Sequence, residues 1–210
     1  MEKLDLKRQL REFYGPSAKQ CSVVDVPEWQ FLMVDGAGDP NTSQAYSEAI
    51  EALYAMSYTL KFMSKNVVGV DYTVMALEGL WWVDDMAEFS MDDKSAWKWT
   101  AMILQPDHIS DAHVTKAAEE ARRKKDLPAL DLLRLEALHE GLAVQIMHVG
   151  PYSDEPPTIE RLHQFASEQG YRLRGKHHEI YLSDPRRTAP EKLRTVIRQP
   201  VVLRGGAPHS

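Results

Sequence analysis

Met102-Ile103-Leu104-Gln105-Pro106 returns 94 residues later as Val196-Ile197-Arg198-Gln199-Pro200, and this recurrence decides how the chain is read. Each copy is an apolar strand-like run followed by Gln-Pro, and Gln105-Pro106 closes the strand of the first copy. A second pair lies upstream: Leu32-Met33-Val34-Asp35-Gly36 is similar to Ile146-Met147-His148-Val149-Gly150. Glu78 falls in the first half where Glu179 falls in the second. An internal repeat of this size speaks to architecture more strongly than any single motif, because each copy is one supersecondary unit.

Working outward, Trp29 to Val34 reads as a strand, and the turn formers of Asp35-Gly36-Ala37-Gly38-Asp39-Pro40 end it. Asn41 with Gln44 suits a capping box. Tyr46, Ala49, Ile50, Leu53, Tyr54, Tyr58 and Phe62 then recur near the helical period. Two strands follow, Val74 to Val83 and Ala96 to Leu104. Ser110 caps a mostly surface helix that runs to Lys125, and Leu127 to Glu140 is either a short helix or an extended connection.

The second half repeats this order. Leu142 to Val149 is a strand with a Gly150-Pro151-Tyr152 turn, and Thr158 caps a helix carrying Ile159, Leu162, Phe165 and Ala166 that Gly170 stops. His177 to Leu182 and Leu193 to Leu203 are the closing strands, separated by a Ser183-Asp184-Pro185 turn. The expected fold is therefore α+β: two pseudo-symmetric strand-helix-strand-strand modules, roughly residues 27–106 and 134–203, with antiparallel sheets. A helical connection over 107–133 joins them into one domain spanning 1–210, with a central ligand groove at their junction. Residues 204–210 are expected to fray.

Composition sets the class. The 210 residues are 43% hydrophobic, enough for a sizeable core. A net charge of −6 argues against a nucleic-acid or anionic-membrane surface, both of which need basic footprints. Arg122-Arg123-Lys124-Lys125 follows Glu119-Glu120 and reads as a solvated helix face. Cys21 stands alone and can form no internal disulfide, and no apolar run approaches membrane-span length, so a cytoplasmic location is expected. The oligomeric state is not legible.

The chemistry-bearing stretch is His177-His178-Glu179-Ile180-Tyr181-Leu182-Ser183-Asp184-Pro185. Residues two apart share a strand face, so Glu179 and Tyr181 point the same way. A carboxylate there must meet a cavity, a partner or solvent, because unpaired burial is costly. Glu179 is either a functional acid or a structural carboxylate paired with Arg172 or Arg174. Tyr181 is either its functional companion or an amphipathic core residue. Four tryptophans, Trp81, Trp82, Trp97 and Trp99, are either aromatic walls for a flat ligand or core; strand parity favours Trp82 and Trp99 as walls. Glu78 is a groove acid or a carboxylate bound to backbone donors. His148 and Tyr152 are further candidates for lining the groove, although a lone strand histidine is more often structural. His177 and His178 are adjacent and face opposite ways, a poor metal pair without cysteine partners, so neither metal nor cofactor is expected. Gly36-Ala37-Gly38 is a turn and not a phosphate cradle, and Cys21 is not read as a nucleophile.

The runs Phe31 to Gly36, Leu77 to Trp82, Gln145 to Tyr152 and Glu179 to Pro185 together resemble the GyrI-like small-molecule-binding family, over roughly Trp29 to Val202. The resemblance implies two strand-helix-strand-strand modules around a ligand groove, with Glu179 as the groove glutamate that meets aromatic or cationic ligands. The chain is most similar to the stand-alone subfamily that hydrolyses cyclopropane-bearing DNA-alkylating compounds of the yatakemycin type within an aromatic cage. That implies a cofactor-independent hydrolase with Glu179 and Tyr181 catalytic. The alternative is a non-catalytic multidrug-binding or sequestering protein, or an effector-binding module acting on a protein partner.

Overall fold

Alternating apolar residues build long strands here, and the computed structural model describes residues 2–90 and 93–205. In chain order its elements are β1 (Glu2–Leu4), α1 (Leu6–Gln9), α2 (Arg11–Tyr14), β2 (Ser22–Ala37), α3 (Gln44–Met63), β3 (Val70–Tyr72), β4 (Leu77–Trp82), β5 (Lys98–Leu104), α4 (Asp111–Lys124), β6 (Arg134–Val149), α5 (Pro156–Glu168), β7 (Tyr171–Leu173), β8 (His177–Tyr181) and β9 (Arg194–Leu203). Helix and antiparallel sheet are mixed, as an α+β chain requires. Two compact units emerge, one of residues 2–9 and 29–138, the other of residues 10–28 and 139–205.

In the first unit β5 pairs antiparallel with both β2 and β4 and so lies between them. α3 buries Ala49, Ala52, Leu53, Met56 and Leu60, the face that its apolar spacing marks. Its cap differs from expectation. Ser43 accepts the Tyr46 amide, whereas Asn41 is held in the preceding turn by Asp39. A serine directly before the helix outcompetes an asparagine that its neighbour has already engaged. Ser110 caps α4 as read, and the basic run at its end is exposed and ion-paired, Arg122 to Asp131, Lys124 to Glu120 and Lys125 to Glu51.

In the second unit β9 again occupies the middle, antiparallel to β6 on one side and β8 on the other, and β7 pairs with its far end. Two boundaries are corrected. The ambiguous stretch before Leu142 resolves into a 3-10 turn at Pro128–Leu132 and then strand from Arg134, whose charged start hides the alternation. Glu155, not Thr158, sits at the N-cap of α5, because Pro156 and Pro157 preset the first turn. At the far end Arg204 is tied to Tyr171 O and Ser167 Oγ, so fraying does not begin there; residues 206–210 lie outside the described residues.

Candidate active site

Pleating of β8 sends His177, Glu179 and Tyr181 to one face and His178 and Ile180 to the other. Register extends both faces across the sheet. Glu179 lies opposite Ile197, Tyr181 lies opposite Thr195, and Thr195 in turn lies opposite His148. Glu179 is 6% exposed, yet it does not pair with Arg172 or Arg174. Arg174 instead donates to the backbone carbonyls of Glu140 and Val201, and Arg172 is exposed. The Glu179 carboxylate is engaged from its own strand: His177 Nε2 lies 2.9 Å from Oε1, and the Tyr181 hydroxyl donates to Oε2 at 2.6 Å. Tyr152 meets the Tyr181 ring edge-on, with centroids 5.7 Å apart, and is itself exposed. The structure thus brings together Glu179, Tyr181 and Tyr152 from the expected set and adds His177.

Two further groups have no counterpart in the sequence reading. His163 of α5 has a buried Nε2 without a hydrogen-bond partner, and burial, reinforced by the neighbouring His177, pulls its pKa down to about 4. Thr195 is fully buried between His148 and Tyr181, and its Oγ1 also lacks a partner. Buried polar atoms of this kind are where a water or a ligand finds hydrogen bonds. Neither a helix histidine nor a strand threonine carries a periodic signal that would single it out.

His148 is corrected from ligand contact to local support. Its Nδ1 lies 3.0 Å from Thr158 Oγ1 and its Nε2 3.2 Å from Pro151 O, so both ring nitrogens are used in joining the end of β6 to the start of α5.

The opposite face of β8 carries charge of another kind. Arg198 donates to Gln145 Oε1, Glu140 Oε2 and Phe13 O, while His178 Nδ1 lies 2.9 Å from Glu140 Oε1 and Gln145 donates to Glu12 O. Simple alternation would put Glu140 on the face of Val144 and Ile146. Gly141, at φ +68, breaks that alternation and re-aims Glu140 towards His178 and Arg198. Burial pushes the Glu140 carboxyl up, but His178 and Arg198 outweigh it and hold the group at about 2.

In the first unit, Glu78 is buried and Trp82 half-buried on one face of β4. Trp99 does not share that face. Register sets it opposite Trp81, and its ring packs against Tyr46 of α3, with centroids 4.9 Å apart. Trp81 also contacts Trp97, so Trp81, Trp97 and Trp99 form the aromatic core under α3, and Trp99, expected like Trp82 as a wall for a ligand, is packed there instead. Parity within one strand says nothing about the register between two. Cys21 lines a surface recess of about 480 Å³ with Arg161 and Phe165, and burial raises its thiol pKa, which favours the unreactive form.

Comparison with known proteins agrees with this layout. A family model described as the GyrI-like small molecule binding domain matches residues 19–202. An uncharacterized conserved protein from Listeria innocua is 41% identical, with a TM-score of 0.88, covering 95% of this chain and 100% of its own. Two structures described as a hydrolase from Listeria innocua are also 41% identical, with TM-scores of 0.86 and 0.83 and coverages of 96% and 95% of this chain and all of theirs. No curated protein matches the chain. Among the described residues no helix is long and apolar enough to cross a membrane.

Proposed function

The chain belongs to the GyrI-like small-molecule-binding family, and from that premise we propose that it binds flat, aromatic xenobiotics and hydrolyses those carrying a strained cyclopropane conjugated to a dienone. The observation that carries this reading is the buried Glu179 carboxylate, with Oε1 2.9 Å from His177 Nε2 and Oε2 accepting from the Tyr181 hydroxyl of the same strand. The description of the 41% identical Listeria innocua structures as hydrolases supports turnover over binding alone.

The residues suit the chemistry. Glu179 orients a water and accepts its proton as the water oxygen attacks the strained ring carbon. The ring carbon–carbon bond breaks, and its electron pair passes through the dienone to the distant carbonyl oxygen, which becomes a phenolate. Tyr181 holds the carboxylate and, with Tyr152 at its edge, offers aromatic surface to the ligand, each such contact adding about 0.5 to 1.5 kcal/mol beyond area burial. No metal or redox partner is required for this sequence of bonds.

Incubation with a yatakemycin-type compound, followed by mass spectrometry, tests the proposal. A ring-opened product heavier by one water supports it, and Glu179→Gln is expected to lower turnover at least a hundredfold while retaining binding. Stoichiometric recovery of intact compound would favour the sequestering alternative, and unchanged turnover in Glu179→Gln would remove Glu179 from the mechanism.

A further inference from the structure

We propose that His177 is the positioning residue of Glu179: its Nε2–H donates to Oε1 while the Tyr181 hydroxyl donates to Oε2, fixing the orientation of the carboxylate. The inference rests on the reading of Glu179 as the base. His177 Nε2 lies 2.9 Å from Glu179 Oε1. An ionised carboxylate can only accept, so the nitrogen facing it must carry the hydrogen. The side chains of His177 and Glu179 are 2% and 8% exposed, so solvent does little to screen or replace this bond.

The surroundings keep the imidazole in that role. His163 faces His177 from α5, Tyr181 and Glu179 share its strand face, and His178, Glu140 and Arg198 occupy the opposite face of the strand. Glu140 is committed to His178 and Arg198, which leaves Glu179 as the carboxylate hydrogen-bonded to His177. A hydrogen bond to the charged form of an acid favours that form, so two donors act against the penalty that burial puts on an ionised Glu179. In the reaction the proton leaves water for a carboxylate oxygen of Glu179 and departs from there to solvent or product. His177 keeps its own proton throughout, which separates a positioning residue from a proton carrier.

The test reads the pair with and without substrate. Long-range proton–nitrogen spectra of the intact protein at neutral pH are expected to show His177 as the Nε2–H tautomer; an Nδ1–H tautomer overturns the proposal. The proton affinity of Glu179, followed by carboxyl carbon shifts, is expected to rise at least tenfold in His177→Phe and to stay within threefold of wild type in His177→Gln, which keeps an N–H donor. Equal affinities in wild type and His177→Phe overturn it. With a yatakemycin-type compound, His177→Phe lowers kcat with little change in KM and moves the acid limb of the rate profile to higher pH, and His177→Gln restores that limb. A common profile for all three proteins overturns the proposal. If wild type turns nothing over, the hydrolase reading fails, while the tautomer and the titration still decide the role of His177.

Discussion

Replacing Arg198 by methionine tests the physical reasoning about the second unit most severely. Arg198 is 1% exposed and donates to Glu140 Oε2 at 3.0 Å, Gln145 Oε1 at 3.1 Å and Phe13 O at 2.7 Å. Methionine fills much of the same volume but leaves Glu140 buried against His178 alone and strands two acceptors. Removing one member of a buried ion pair costs about 3 to 5 kcal/mol, because the remaining charge keeps its desolvation penalty. That is a large part of the roughly 5 to 15 kcal/mol that separates folded from unfolded domains. Urea titration followed by circular dichroism should show the midpoint falling with little change in slope. The pH dependence adds a second signature. A carboxyl held at about 2, against 4.5 when unfolded, contributes on the order of 3 kcal/mol, fully present above about pH 4.5 and lost as pH falls towards 2. Arg198→Met raises the folded-state value and so removes much of that acid-dependent stability. Combining it with Glu140→Gln should recover at least about 1 kcal/mol of the summed single losses, since the two groups are directly coupled. A loss in Arg198→Met below about 1 kcal/mol, or an unaltered acid limb, would refute the account of this network.

Two smaller substitutions probe packing. A Cβ on Gly36 would lie 2.2 Å from the Trp99 ring, so Gly36→Ala is expected to cost about 1 to 3 kcal/mol in urea denaturation, with part recovered by adding Trp99→Phe. Undiminished stability would mean that the strand and ring separate without cost. Thr195→Val replaces an unpartnered buried hydroxyl with a methyl of similar shape and should leave the melting temperature unchanged or raised. A fall worth more than about 1 kcal/mol would reveal a partner for that hydroxyl.

The sequence was most legible where a periodic signal or a repeat acts over several residues. Gln105-Pro106 follows the end of β5, as read, whereas Gln199-Pro200 lies inside β9, which runs on to Leu203. The i, i+2 spacing of Glu179 and Tyr181 translates into a direct hydrogen bond. What escaped was set between strands or by competition. The register that pairs Trp99 with Trp81 depends on neighbours that single-strand parity cannot see. His148 looked available, but Thr158 and Pro151 had already taken both nitrogens. Glu140 directly precedes Gly141, whose positive φ breaks the alternation, so its destination is invisible to strand parity, and His177, read only as half of a poor metal pair, is the neighbour of Glu179.

The pleat of β8 also has consequences for how this protein can vary. Positions 177, 179 and 181 share one hydrogen-bonded face, while 178 faces the charge network of the second unit. Substitutions can therefore retune one set of neighbours without touching the other, even though the codons interleave. An insertion or deletion of one residue ahead of His177 has no such freedom: it would turn every side chain of the strand to the wrong side and break both sets of hydrogen bonds in a single step. This short segment should accept exchanges of residue far more readily than changes of length.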